Sequence, residues 1–256
     1  MLLVFDIGNT QIVAGVFDEG GWLAADWRLA TDRQKTVDEY GIITKSLFLD
    51  RGLNFSKITG AIISSVVPPL TNSILQMAEK YFEVTPLVVG PGIKTGLAIK
   101  YDNPREVGAD RVVNAVAGLK LYQAPLIIVD FGTATTFCAI GANGDYLGGA
   151  IAPGLGIAAE ALFLCTAKLP RVELLKPKTV IGKNTISSMQ SGLFYGYIGL
   201  IESLITRIKA EMGVNPKVIA TGGLAELVSC ETNLIDTINP YLTLEGLREI
   251  YELNKV

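Results

Sequence analysis

Residues 2–17, LLVFDIGNTQIVAGVF, and residues 126–140, LIIVDFGTATTFCAI, are two copies of one pattern. Each opens with four apolar residues, continues with Asp-x-Gly and a threonine close behind, and ends in a second apolar stretch. The first copy reads Asp-x-Gly-x-Thr and the second Asp-x-Gly-Thr-x-Thr. A turn follows in both, Asp18-Glu19-Gly20-Gly21 and Ala142-Asn143-Gly144-Asp145, and then a further strand-like segment, Trp22–Leu29 and Tyr146–Ala152. Strand, Gly- or Asn-containing turn and strand in succession signal hairpins. The near-continuous apolar runs predict sheets covered on both faces. A motif repeated at matching places in two half-chains implies duplication, with domains at 1–122 and 123–256.

Between the hairpins the pattern alternates α and β. Lys35–Asp50 predicts a helix with Val37, Tyr40, Ile43 and Leu47 on one face and Gly52 as a stop. Ile58–Val67 predicts a strand ended by Pro68-Pro69, Thr71–Tyr81 a helix, Pro86–Val89 a short strand and Gly108–Tyr122 a helix. In the second half, Asn184–Met212 predicts one long helix or two joined ones, Lys217–Ala220 a strand and Thr243–Leu253 a last helix. The fold class is therefore α/β. Duplicated α/β domains are expected to take their ligand in the cleft between them, at the loops after the strands.

Composition removes several function classes. Of 256 residues, 49% are apolar and 18% charged, enough for substantial cores. The net charge is -3, and no Lys/Arg cluster carries interleaved aromatics, which argues against nucleic acid as the main partner. The segment MLLVFDIGNT lacks a basic n-region and meets Asp6 early, unlike a signal peptide. The most apolar later stretch, Gly192–Ile205, contains Glu202 and is too short to span a bilayer. Its apolar residues cover more than one face, so it is expected to be buried on several sides, with an interface between copies as one reading. Cys138, Cys165 and Cys230 are far apart and form no CxxC pair, as in a cytosolic protein with reduced thiols. There is no histidine, so a general base must be a carboxylate, Lys, Tyr or Cys.

Each candidate motif has a bland reading beside the chemical one. In Asp6-Ile7-Gly8-Asn9-Thr10 a glycine turn lets backbone amides approach a phosphate, Asn9 and Thr10 add donors, and Asp6 is suited to hydrated Mg²⁺. Asp130-Phe131-Gly132-Thr133 is its counterpart, with Thr133, Thr135 and Thr136 as hydroxyl donors to phosphate or a cation. Ordinary hairpin turns use the same residues. Asp110, in Gly108-Ala109-Asp110-Arg111, reads either as a helix cap or as a kinase-type base. Arg111 reads as a carboxylate grip or as a structural ion pair. Tyr101 alone reads as packing, Thr185 as a helix N-cap, and Thr221-Gly222-Gly223 as a turn into a helix. Two resemblances are discounted. Gly154-Leu155-Gly156-Ile157-Ala158-Ala159 fits G-x-G-x-x-A but follows Ala152-Pro153 with no βαβ unit around it, and Gly182-Lys183-Asn184-Thr185 lacks the first P-loop glycine.

Paired phosphate loops on duplicated domains resemble the superfamily of actin, the 70-kDa heat-shock chaperones, sugar kinases and acetate kinase. Within it, DIGNT (6–10), GADR (108–111), DFGTATT (130–136) and GGAIAPG (148–154) together resemble type III pantothenate kinase. The resemblance implies duplicated actin-like (ribonuclease H-like) domains and phosphorylation of pantothenate by ATP with Mg²⁺. It implies Asp6, Ile7, Gly8, Asn9, Thr10, Gln11, Ile12, Val13, Gly132 and Thr133 at the ATP. It implies Tyr101, Gly108, Ala109, Asp110, Arg111 and Thr185 at the substrate, with Asp110 as base and Thr185 serving the neighbouring subunit of a homodimer. It also implies Asp130 as ligand to a monovalent cation, K⁺ or NH₄⁺, and Asp6 as ligand to Mg²⁺ through water. Two alternatives stay open: a nucleotide-binding transcriptional accessory factor, and another small-molecule kinase of the superfamily.

Overall fold

The computed structural model describes residues 1–255. Each copy of the repeat folds into a three-stranded antiparallel meander that then recruits two parallel strands. In the first half these are β1 (Leu2–Ile7), β2 (Gln11–Phe17), β3 (Leu23–Ala30), β4 (Gly60–Ser65) and β5 (Leu87–Val88). In the second they are β6 (Leu126–Phe131), β7 (Ala134–Ile140), β8 (Tyr146–Pro153), β9 (Lys217–Gly222) and β10 (Thr237–Ile238). The sheet orders are β3-β2-β1-β4-β5 and β10-β9-β6-β7-β8, one connectivity used twice. In both, the strand that ends in Asp-x-Gly lies between an antiparallel neighbour and a parallel one.

Seven helices complete the described chain: α1 (Val37–Asp50), α2 (Pro68–Phe82), α3 (Ala109–Tyr122), α4 (Leu155–Leu164), α5 (Thr185–Met212), α6 (Ala225–Ser229) and α7 (Leu242–Asn254). Helix α1 starts at a reciprocal capping box, Thr36 with Glu39. Its buried stripe is Tyr40, Gly41, Thr44 and Phe48, one step round from the predicted one. Helix α2 begins at Pro68 itself, because proline suits the first helical turn, where its missing N–H has no partner to lose. The long segment from Thr185 is one unbroken helix of 28 residues.

The chain divides into two compact units. The first holds residues 1–97, 102–121 and Tyr241 onward, and the second residues 98–101 and 122–240. A cut at 122/123 therefore misplaces α7, which packs against β1, β4 and β2 of the first sheet. One face of that sheet packs Leu3, Phe5, Ile7 and Ile63 against α1 and α2. The other packs Val4 and Ile62 against Val113 and Val116 of α3 and Leu244, Leu247 and Ile250 of α7. Gly246 of α7 lets the two helices touch, since a Cβ there would run into the Val113 carbonyl.

In the second unit α5 is the main cover of the sheet. Its Leu193, Phe194, Tyr197, Ile198, Ile201 and Ile205 join Ile127, Val129 and Phe131 of β6 in one core. Ile201 and Ile205 are fully buried within their own chain. The reading of Gly192–Ile205 as an interface between copies is thereby corrected at Ile201, whose apolar neighbours are intramolecular. The open face of α5 carries Thr185, Gly192, Gly196, Gly199 and Ser203 instead. A Cβ added at any of the three glycines would meet nothing within 4 Å.

No helix of the described residues is long and apolar enough to cross a membrane. Burying a carboxylate at a 0%-exposed position removes a packed side chain and strands a charge. Ile201→Asp is therefore expected to lower the melting temperature by about 10 °C or to give insoluble protein. A thermal melt followed by circular dichroism checks this, and a stable, folded variant would contradict the core placement.

Candidate functional site

In the first unit, Asp6 is the last polar side chain before β1 ends, half-buried and opposite Val13 of β2 and Ser64 of β4. Alternation along the strands puts Asp6 on the face of Val4, and Ser64 on the face of Ile62, the face covered by α3 and α7. The turn that follows is tight. The Gly8 amide donates to the Gln11 carbonyl at 3.0 Å, so it is committed to the turn and not directed at a ligand. Asn9, Thr10 and Gln11 form the exposed tip. Ile7 and Ile12 are fully buried in the core, so any part they take in binding a phosphate falls to their backbone. The turn is braced from β3's end, where Thr31 Oγ1 donates to the Gly8 carbonyl at 2.7 Å and the Thr31 amide to the Thr10 carbonyl at 3.0 Å. Arg33 Nη2 reaches Asn9 Oδ1 at 3.5 Å.

The same end of this unit holds the start of α3. Thr243 Oγ1 donates to Asn114 Oδ1 at 2.7 Å, which ties the first turn of α7 to the second turn of α3. Tyr251, near the other end of α7, lies at Gly60, where β4 begins. Helix α7 thus runs opposite to β4, and the helix starts sit where β1 and β4 finish. Asp110 stands in the first turn of α3, half-buried, with Oδ1 accepting the Arg111 amide at 2.9 Å. One carboxylate oxygen thus takes up one of the amides of the first turn. Gly108 lies close beside it: a Cβ there would sit 2.5 Å from that oxygen, so a larger residue would displace the carboxylate. Ala109 packs on the α3/α7 core, and Arg111 is 5% exposed, so its guanidinium is held among fixed neighbours. Asp6, Ser64 and the Gly108–Arg111 turn therefore gather at one end of the first unit.

The second unit repeats the arrangement. Asp130 ends β6, half-buried, opposite Thr136 of β7 and Thr221 of β9. Gly132 and Thr133 form the exposed two-residue turn. Gly222, at φ +89°, crosses the strand end so closely that a Cβ would sit 2.6 Å from Asp130 Oδ1. Thr135 departs from its expected role: its hydroxyl is fully buried and bonds the Tyr197 hydroxyl of α5 at 2.5 Å. Burial pushes the Tyr197 phenol above its ordinary range, the Thr135 bond opposes this, and the Asp130 charge adds to it. Tyr197 is a site neighbour that sequence reasoning took for plain helix packing. Only the fold brings it to Thr135, 62 residues away.

Tyr101 belongs to the second unit, edge-on to Tyr146 with ring centroids 6.4 Å apart. Thr185 is exposed, and Asn184 is the N-cap of α5, bonded reciprocally with Ser187. The capping reading of Thr185 is thereby removed. Thr185 lies on an open groove of about 870 Å³ lined by α4, by Gly182, Lys183 and Asn184 ahead of α5, and by the first turns of α5, including Ala158, Leu162, Met189 and Gly192. The G-x-G-x-x-A segment does follow a strand, β8, contrary to expectation, but β8 pairs antiparallel with β7, so no βαβ unit exists there.

Among the described residues no group of three or more His, Cys, Asp or Glu forms a metal cage. A cation at Asp6 would complete its shell with water and phosphate oxygens, as Mg²⁺ does. In the second unit Asp130, with Thr136 and Thr221 opposite it in the register, is the group that could hold a cation.

Comparison with known proteins converges on one group. The family model described as type III pantothenate kinase matches residues 2–207. A conserved Campylobacter jejuni protein, described as a candidate Baf family transcriptional activator, is similar with a TM-score of 0.62 at 19% identity, over 98% of each chain. A candidate 2-dehydro-3-deoxygalactonokinase from Sinorhizobium meliloti gives a TM-score of 0.62 at 11% identity, over 99% of this chain and 97% of that one. The activator of 2-hydroxyisocaproyl-CoA dehydratase from Clostridium difficile, with bound ADPNP, gives 0.53 at 13% identity, over 99% and 94%. These neighbours share the actin-like kinase fold.

Gly222→Ala is expected to cost about 1–3 kcal/mol, because it combines a left-handed backbone with a collision at Asp130. Calorimetry would show a melting temperature lowered by about 5 °C. An unchanged melt would mean that the β9 end is free to move away from Asp130.

Proposed function

Because the chain belongs to the type III pantothenate kinase family, we propose that it transfers the γ-phosphoryl group of ATP to the terminal hydroxyl of pantothenate, giving ADP and 4′-phosphopantothenate, the entry to coenzyme A. The observation that carries this reading is the convergence of Asp6, its turn and Asp110 at one end of the first unit, inside a family match that spans both repeats. Phosphoryl transfer depends on positioning and charge neutralisation more than on covalent help from the protein.

The Asn9–Thr10 tip presents backbone and side-chain donors to the nucleotide phosphates, and Gly132 and Thr133 offer the same chemistry in the second unit. Asp6 holds the hydrated Mg²⁺, which when bound neutralises phosphate charge. Asp110 keeps one oxygen on the Arg111 amide, which fixes the carboxylate, and takes the substrate hydroxyl proton with the other. Arg111 suits the pantothenate carboxylate. Asp130 carries the monovalent cation, since a carboxylate at the end of an apolar strand is costly without a counter-charge.

The chain is further proposed to act as a homodimer joined across the open face of α5. That face aligns Thr185 with Gly192, Gly196 and Gly199 and is flanked by exposed Ile181 and Ile186. Small residues let two helices approach closely, and a two-fold contact would give each Thr185 to the other copy. A second reading, a nucleotide-binding regulator, is favoured by the likeness to the Campylobacter jejuni protein. A phosphate-transfer assay across pantothenate, sugars and acetate separates the readings. Turnover of pantothenate alone supports the first, and nucleotide binding without transfer supports the second.

Asp110→Asn is expected to lower kcat by about 10²–10⁴ while leaving ATP affinity and the melting temperature nearly unchanged. Near-wild-type kcat would reduce Asp110 to a helix cap. Activity is expected to require K⁺ or NH₄⁺. Equal rates in sodium, potassium and tetramethylammonium buffers would remove the cation from Asp130. Gly196→Arg, placed where the fold has open space, is expected to keep the melting temperature, give monomers in sedimentation and raise KM for pantothenate. A monomer with unchanged KM would remove the shared-site reading.

A further inference from the structure

The two serines that end β4 behave differently. Ser65 Oγ accepts the Val67 amide at 3.1 Å and the Thr71 hydroxyl at 2.7 Å, and so fixes the turn into α2. Ser64 has no such role. It is fully buried, and its hydroxyl has no hydrogen-bond partner among the described residues. Buried hydroxyls are nearly always bonded, because losing water without a replacement disfavours the fold. That leaves the hydroxyl to whatever acceptor the neighbouring strand presents.

The register names that partner. Ser64 lies directly opposite Asp6 on the parallel neighbour strand, on the same sheet face. Strands are about 4.8 Å apart, so a change of one rotamer brings a serine hydroxyl within reach of the neighbouring carboxylate. The second unit holds the same juxtaposition. Thr221 of β9, 2% exposed, lies opposite Asp130 of β6 on the parallel neighbour strand. Each repeat thus sets a buried hydroxyl beside its strand-end aspartate.

We propose that Ser64 is a positioning residue for Asp6: when nucleotide and cation are bound, its hydroxyl donates to the Asp6 carboxylate oxygen turned away from them. This rests on the reading of Asp6 as the Mg²⁺-side carboxylate. Being fully buried, Ser64 touches neither substrate nor metal and acts through Asp6 alone. The bond orients the carboxylate and holds it in its charged form, which is the form a hydrated cation needs. It is made equally in the ground and transition states, so it affects KM for the nucleotide and not kcat.

The test compares wild type, Ser64→Ala and Asp6→Asn as full chains. Melting temperatures are measured without ligand. ADP affinity is measured by calorimetry with and without Mg²⁺, and KM and kcat by steady-state assay. Ser64→Ala is expected to melt at or about 2 °C above wild type, because it deletes an unmatched hydroxyl. It is expected to bind Mg·ADP about tenfold more weakly, with metal-free ADP affinity and kcat nearly unchanged. A lowered melting temperature with wild-type Mg·ADP affinity would make Ser64 structural and overturn the proposal. So would wild-type affinity with any melt. If Asp6→Asn binds Mg·ADP like wild type, the Asp6 reading itself fails and the proposal with it. Loss of Mg·ADP binding in Asp6→Asn but not in Ser64→Ala overturns the Ser64 proposal alone.

Discussion

A central strand covered on both faces and paired on both edges can take a carboxylate at its end and nowhere else. Strands β1 and β6 meet that condition, since Leu3, Val4, Phe5 and Ile127, Ile128, Val129 are buried to within 1%. An unpaired charge among them would cost several kcal/mol. Asp6 and Asp130 therefore stand at the last half-buried position of each strand, where helices begin and turns expose backbone. The glycines after them, the hydroxyls across from them and the start of α3 are arranged around this constraint.

Local bonding in the first unit fixes the Asp6 turn through the chain's own groups. Gly8 closes on Gln11, Thr31 holds two carbonyls of the turn, and the Asp110 carboxylate rests on its own helix amide. Such bonds reduce the ordering that binding would otherwise require. In the second unit, the long helix α5 does two things at once. Its apolar side fills the core, and Tyr197 reaches through that core to Thr135, behind the Gly132 turn. Its other side is nearly bare of side chains, which leaves a surface that another helix can approach closely.

The repeat was legible in the sequence because strand-turn-strand punctuation is local. Four apolar residues, an Asp-x-Gly turn and a second apolar run give the hairpins of both units without reference to the rest of the chain. Most helices followed from the same kind of signal, with ends displaced where proline or a capping box set the first turn, as at Pro68 and Thr36. The positions of Asp6, Gly8, Asp110 and Asp130 at element ends were also legible, since turn and cap residues mark ends.

What the sequence by itself determined is thus the duplication, the α/β class and the chemical character of the strand-end motifs, because these depend on neighbours along the chain. Tertiary structure decided the rest. It assigned α7 to the first unit, since an amphipathic helix does not name the sheet that buries it. It made Ile201 core, since all-round apolarity gives the extent of burial and not the identity of the covering surface. It took Thr135 away from the turn and gave it to Tyr197, and it left Ser64 unbonded beside Asp6. Those facts arise from strand register and helix packing between residues tens of positions apart, and a one-dimensional pattern carries side-chain period but not the partner across the sheet.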